Sequence, residues 1–277
     1  MNTVSDFYLK GSANFVSSFW YPFKSPLFKL KYLELLSILS FSVFAIFMQV
    51  MDYPFLHFSF KLDNFEHATM FIHLAIFSGF TLCAELTHPS GNLSGVSGIL
   101  ASSVFGQELF LLHYHSADHV GLEGHYHWLL QVIVFGSLVS SLSTTSFPSS
   151  FPAALVLVIS VVFQGCWFLN MGFMLWFPKF VPQGCVVDLD DSKNMHGAVT
   201  CLTREAGSRA MALANMQFSW ILAGVMIFTS CVCLKYARNF KPRGESTVYE
   251  LLHSTGANVS VAITGFKASS NLVHETV

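Results

Sequence analysis

The amino-acid sequence predicts an all-α fold, a polytopic transmembrane bundle of about six helices. Three observations carry this. Of 277 residues, 53% are hydrophobic and 11% charged, against about 25% charged in ordinary soluble domains. With 29 phenylalanines and a mean hydropathy of +0.54, the chain has more apolar surface than a water-soluble fold of this size can cover. The apolar residues also fall into runs of roughly 20, the length that crosses a bilayer core. A formal net charge of -2 provides no basic field for nucleic acid or for a polybasic membrane tether.

Residues 1–29 contain Asp6, Lys10, Lys24 and Lys29 and no apolar run with a small-residue cleavage site. They read as a cytosolic segment, so the first membrane helix must act as the targeting signal. The bundle, residues 30–238, comprises helices predicted at Leu33–Met51, Phe65–Leu86, Val96–His115, Tyr126–Ser143, Ala153–Phe177 and Ala210–Leu234. Helix breakers stand between them: Pro89 and Gly91, then Gly121 and Gly124, then Pro148 and Pro152. The short links make neighbours antiparallel. The fourth helix is the most diluted, by Gly136 and a serine-rich end. Residues 239–277, rich in Ser, Thr, Asn and Gly, read as a flexible cytosolic tail.

An even number of spans places both termini on one side. Lys24, Lys29 and Lys31 before the first span, and Lys235, Arg238, Lys241 and Arg243 after the last, make that side cytosolic. The loop from Pro178 to Arg209 also carries Lys179, Lys193, Arg204 and Arg209, which weighs against this orientation. Cys185 and Cys201 in that loop are spaced to form a disulfide in an oxidising compartment, with two unpaired thiols as the plainer reading. Cys83, Cys166, Cys231 and Cys233 lie inside apolar helices and read as small packing residues.

The link between the third and fourth helices is the chemically dense part of the chain. His113, His115, Asp118, His119, Glu123, His125 and His127 put five histidines and two carboxylates into fifteen residues. On a regular helix Glu108 and His115 share a face, about 10.5 Å apart along the axis. A carboxyl inside an apolar span is by default functional. The antiparallel order brings Glu66, His67, His115 and His127 to one non-cytosolic level, together with Asn170, Asn215 and Gln217. The cytosolic halves read as nearly all apolar. Imidazoles with carboxylates suit zinc or another divalent ion, with the carboxylates as ligands or as partners that orient a histidine. The plainer reading is a belt of interfacial polar residues satisfying helix ends. Trp167 to Trp176 can line a ligand pocket, or form a packed helix in which Gly172 permits close approach.

The chain resembles the transmembrane protein 45 family, also called domain of unknown function 716, and its plant members most. The matching residues are Lys31-Tyr-Leu-Glu34-Leu, Asn64-Phe-Glu-His67, Glu108, and His115, His119, Gly121, Glu123, Gly124, Tyr126 and His127 in order. They continue through Ser146-Phe-Pro148, Gln164-Gly-x-Trp167-Phe, Pro182-x-Gly-Cys185, Cys201, and Leu213-Ala-Asn215-x-Gln217. The resemblance implies a compact seven-helix protein with a laterally open cavity and a cation site, and, by likeness to membrane hydrolases such as alkaline ceramidases, an enzymatic role. It carries Glu66, His67, Glu108, His115, His119, Glu123, His127, Asn170 and Gln217 as the polar positions. Family members usually begin with one further apolar helix, which Met1–Pro26 lacks, so this chain reads as the seven-helix core minus its first helix.

The functional expectation is a multi-pass protein of the endomembrane system or plasma membrane, with a divalent cation such as zinc and a lipid-like ligand. The predicted ligands are His67, His115, His127, His119 and Glu66, supported by Glu108, Glu123, Asn170, Asn215 and Gln217. If the chain is a hydrolase, Glu108 or Glu123 would move the proton. The alternative is a non-catalytic scaffold or trafficking factor with structural histidines. A channel or transporter fits less well, because no inverted repeat is visible.

Overall fold

The structure, a computed structural model, describes residues 1–23, 31–52, 57–58, 62–87, 93–115, 121–187 and 199–239. Met1–Tyr236 form one compact unit. Ala237–Val277 form a second, of which residues 237–239 are described; the rest of the expected tail lies outside the described residues.

The chain is nearly all helical. A short helix α1 (Asn2–Lys10) precedes α2 (Leu33–Val50), α3 (Leu62–Thr87), α4 (Ser94–His115), α5 (Leu122–Ser146), α6 (Phe151–Trp176) and α7 (Arg204–Asn239). Two antiparallel pairs of very short strands lie in the connections, β1 (Met51–Asp52) with β2 (His57–Phe58) and β3 (Cys185–Val187) with β4 (Val199–Cys201). Among the described residues, α2 to α7 are long and apolar enough to cross a membrane. From α2 to α6 each helix packs against the next, as short hairpins require. Large apolar side chains such as Phe41, Phe44, Ile99, Phe135, Leu169 and Phe228 point outward. In water such a surface would aggregate; around a bundle of spanning helices it is the lipid contact.

The core lies where α4, α5, α6 and α7 meet, around Tyr126, Leu130, Val134, Trp167 and Ala214, each 0–1% exposed. Two ends of the bundle differ. At the loop end, where α4 finishes and α5 begins, the β3–β4 hairpin covers the core with Val199. Cys185 and Cys201 face each other in that hairpin and are joined by a disulfide. Gly184 enters it at φ +84°, and a Cβ there would come within 2.8 Å of Ala206 Cβ, so two requirements select glycine.

At the amino end, where α4 begins and α5 finishes, residues 1–23 close the bundle. Phe7 stacks on Phe151 at 4.0 Å, Ser17 N–H donates to Pro148 O, and Trp20 Nε1 donates to Glu85 Oε1 at 3.3 Å. Sequence patterning predicted no helix here. The amino end is also where the expectation of nearly apolar helix halves fails. Thr81, Ser97, Ser102, Ser137, Ser140, Ser141 and Thr144 form a buried hydroxyl seam between α3, α4 and α5. Most of these hydroxyls donate to the carbonyl one turn back on their own helix: Ser102 to Gly98, Ser140 to Gly136, Thr144 to Ser140. That internal satisfaction keeps the serine-rich end of α5 helical in an apolar medium.

Several further expectations are corrected. Gly121, at φ +86°, caps α5 from outside, but Gly124 is inside the helix, which therefore starts four residues before Tyr126. α7 begins at Arg204 rather than Ala210, so Arg204 and Arg209 are helical. Gly172 does not mark a close approach, since a Cβ there would touch nothing within 4 Å. Gly98 does: its Cβ would lie 2.5 Å from Thr145 Oγ1 and 2.9 Å from Phe19 Cε2. Small residues permit tight helix contact, and in this chain they do so at the amino end. Cys83 and Cys231 are not packing residues but are exposed, while Cys166 is half-buried against the core.

Candidate functional site

Polar side chains from three helices meet inside the loop-end half of the bundle. Trp167 on α6 is fully buried and stacks on Tyr126 of α5 at 5.3 Å, its indole N–H reaching the Tyr126 carbonyl oxygen at 3.3 Å. This fixes the Tyr126 ring, whose hydroxyl donates to Gln217 Oε1 on α7 at 2.7 Å. Asn170 Nδ2 donates to the same oxygen at 3.2 Å, and Gln217 Nε2 points at Met174 Sδ, 3.4 Å away. The helical period explains the face: Gln164, Trp167, Met171 and Met174 recur at intervals of three and four along α6.

One residue before Tyr126 on α5 and two before Gln217 on α7, His125 Nε2 and Asn215 Oδ1 lie 2.8 Å apart. Asn215 is exposed, on the helix that also exposes Met216 and Trp220, 42% and 69% exposed, so the network opens through a polar group on an otherwise apolar surface. Deeper along α4, Glu108 is 8% exposed and its Oε1 accepts from Gln164 Nε2 at 2.7 Å. Gln131 Nε2 donates to Leu112 O, tying α5 to α4 nearby. Around Gln217 the network is built from amides, a phenol and an imidazole, with the Glu108 carboxyl bonded to Gln164 deeper in the bundle. Such groups recognise hydroxyl, carbonyl and amide functions.

Asn170 and Gln217 thus come together as one unit, and Asn215 lies beside them. Glu66 and His67 lie in the first turns of α3, and Glu123 and His127 in the first turns of α5, all half-buried. His115 ends α4, but its side chain is outside the described residues, as is the whole of His119. Among the described residues no group of three His, Cys, Asp or Glu side chains is placed to hold a metal ion. Glu108 is held by Gln164 from α6. Sequence reasoning missed Tyr126, His125 and Gln164 as members. The recurring face of α6 was available as a signal for Gln164; the pairing of His125 with Asn215 depends on how α5 and α7 are rotated, which no local pattern states.

The helices that supply this network belong to one stretch of the chain. A family model described as a family of unknown function, DUF716, matches residues 94–234, from the first residue of α4 to within five residues of the end of α7. It spans Glu108, the α4–α5 connection, the Tyr126–Asn170–Gln217 network and the disulfide, and it covers half of the 277 residues. The chain, six of whose described helices are long and apolar enough to cross a membrane, belongs to the DUF716 family, a family of unknown function.

Proposed function

We propose that this chain is a plant-like member of the transmembrane protein 45 branch of its family, with both termini cytosolic, in the endomembrane system or plasma membrane. In this reading it holds the polar head of a lipid-like molecule in the loop-end network. The observation that carries the reading is Gln217 Oε1 accepting from both Tyr126 and Asn170 inside an apolar span, with exposed Asn215 as the opening. A polar network in lipid is costly to keep unless it positions something, and neutral donors and acceptors suit an amide- or hydroxyl-bearing head. The exposed apolar flank of α7 lies where the chains of such a molecule would run.

A divalent cation such as zinc is the second element of the proposal. His67, His115 and His127, with His119 and Glu66, would hold it, and the ion would supply an activated water. Glu108 and Glu123 would orient ligands or take up a proton. What supports this is the placement of Glu66, His67, Glu123 and His127 in the opening turns of α3 and α5 and of His115 at the close of α4. The rival is a non-catalytic scaffold whose histidines only satisfy helix ends.

The test is elemental analysis and lipid identification on purified full chain. The expected result is a defined co-purifying lipid that Gln217→Leu loses. It is also a bound metal that His67→Ala, His115→Ala and His127→Ala each weaken about 10–100-fold in affinity, while His113→Ala retains it. Lipid and metal both absent from the wild type would favour the scaffold. A tag on Val277 reached only from the lumen would overturn the orientation.

A further inference from the structure

We propose that the amino end of the bundle binds a zwitterionic aminoalkyl phosphate, the chemistry of a phosphoethanolamine head, with its ammonium at Glu85 and its phosphate at Lys31. Two neighbouring cavities lie there, of about 140 and 360 Å³, and Ser18, Trp20 and Glu85 line both. The smaller is where the hydroxyl seam ends beneath the amino-terminal segment, with Ser17, Thr81, Ser97 and Thr144 in its wall. The larger is lined by Asp6 and Lys10 of α1 and by Lys31, just before α2. Glu85 is in the last turn of α3, and Ser94, the first residue of α4, also lines the smaller cavity. Helix ends are the level at which lipid heads meet water, so the site requires no choice of orientation.

The cavity walls have bonding capacity to spare. Thr144 spends its hydroxyl on Ser140 O, and Thr81 donates to Ser97 Oγ. Ser17 differs: it is 9% exposed, its N–H is fixed on Pro148 O, and its Oγ is buried with no partner among the described residues. Such a hydroxyl is costly unless something in the cavity bonds to it. Glu85 receives the Trp20 indole N–H on Oε1, which leaves its second oxygen for a ligand. Lys31 Nζ lies 3.4 Å from Tyr32 Oη and 5.0 Å from that ring's centroid, and among the described residues it meets no carboxylate. Asp6 and Lys10, by contrast, neutralise each other at 2.8 Å. One anion and one cation thus line the same cavity without pairing. A ligand with both charges on a short chain satisfies each and adds no net charge to a partly buried site. Its ammonium has three donors, enough for the carboxylate and for hydroxyl oxygens such as Ser17 Oγ, and its phosphate takes lysine as a point-charge partner.

The experiment is calorimetric titration of the purified full chain in detergent, in two arms. One uses free phosphoethanolamine; the other uses lysophosphatidylethanolamine, with lysophosphatidylglycerol as its control. Binding in the first arm alone identifies a soluble ligand, and binding in the second alone a lipid; either supports the site. Glu85→Gln keeps an oxygen for Trp20 but loses the charge. It and Lys31→Gln should each weaken binding about 10–100-fold, and Ser17→Ala about 2–10-fold. Lys31→Gln should also erase the preference for phosphoethanolamine over ethanolamine, which a loosened fold would not do. Gln217→Leu, at the other end of the bundle, should leave both arms unchanged. No binding in either arm overturns the proposal, as does binding that lysophosphatidylglycerol equals or that survives both charge substitutions. Binding that follows Gln217 and not Glu85 overturns this site and leaves the loop-end reading standing.

Discussion

The two ends of the bundle solve the same problem, polar side chains in an apolar medium, in opposite ways. At the amino end, most of the short hydroxyls return a hydrogen bond to their own helix, while Thr81 to Ser97 and Ser141 to Ser102 also reach across, and the small side chains let α3, α4 and α5 approach closely. At the loop end, long amides and a phenol bond across helices, and each group needs its partner: Tyr126 and Asn170 both spend a donor on one oxygen of Gln217. The first arrangement is packing. The second is a positioned set of hydrogen-bonding groups, the set proposed above to hold a polar head.

This contrast can be broken by measuring stability in detergent for one change of each kind. Trp167→Ala should have the largest effect, about 3–5 kcal/mol, because it empties the site of a fully buried ring and frees Tyr126. It should also abolish lipid retention. Gly98→Ala should cost about 1–3 kcal/mol, since Thr145 and Phe19 are already at contact where its Cβ would go. Lipid binding should survive in the fraction that folds. Gln217→Leu should cost about 1–2 kcal/mol by leaving two donors without their acceptor, and lipid retention should fall more than stability does. Ser141→Ala should cost less than about 1 kcal/mol, for although its hydroxyl reaches Ser102 Oγ at 2.8 Å, it also bonds Leu138 O on its own helix. A Ser141→Ala loss equal to that of Gln217→Leu, measured by unfolding midpoint, would erase the distinction between the ends.

The helices were readable because a run of twenty apolar residues has few alternatives, and their observed bounds differ from the predicted ones mainly by added residues at the ends of α5 and α7. The layer shared by Asn170, Asn215 and Gln217 was readable as well, since hairpin order alone fixes depth. Rotation about each helix axis was not. That is why Tyr126, the hub of the network, was read only as the start of the fourth helix and a matching residue of the resemblance, and why His125 was given no role. The serines of α5 looked like dilution of an apolar helix, because composition does not reveal that a hydroxyl can satisfy itself one turn back. Cys83 and Cys231 were misread for the same reason as Tyr126: sequence gave their depth but not the direction they face.

The Cys185–Cys201 bridge has a mechanical consequence. It ties together the two strands of the connection between α6 and α7, so the start of α7 is held covalently on a short leash, while Gln217 and Val225 further along are held by hydrogen bonds and packing. A rod pinned at one end keeps rotation as its main freedom. From Arg204 to Cys231 the helix is about 40 Å long, so a tilt of roughly 10° about the pinned end would carry Cys231 through about 7 Å, while Asn215 and Gln217, nearer the pivot, would move by less than half as much. A bilayer of different thickness acting at the far end would therefore have a long lever on α7, geared down to small displacements at the polar network.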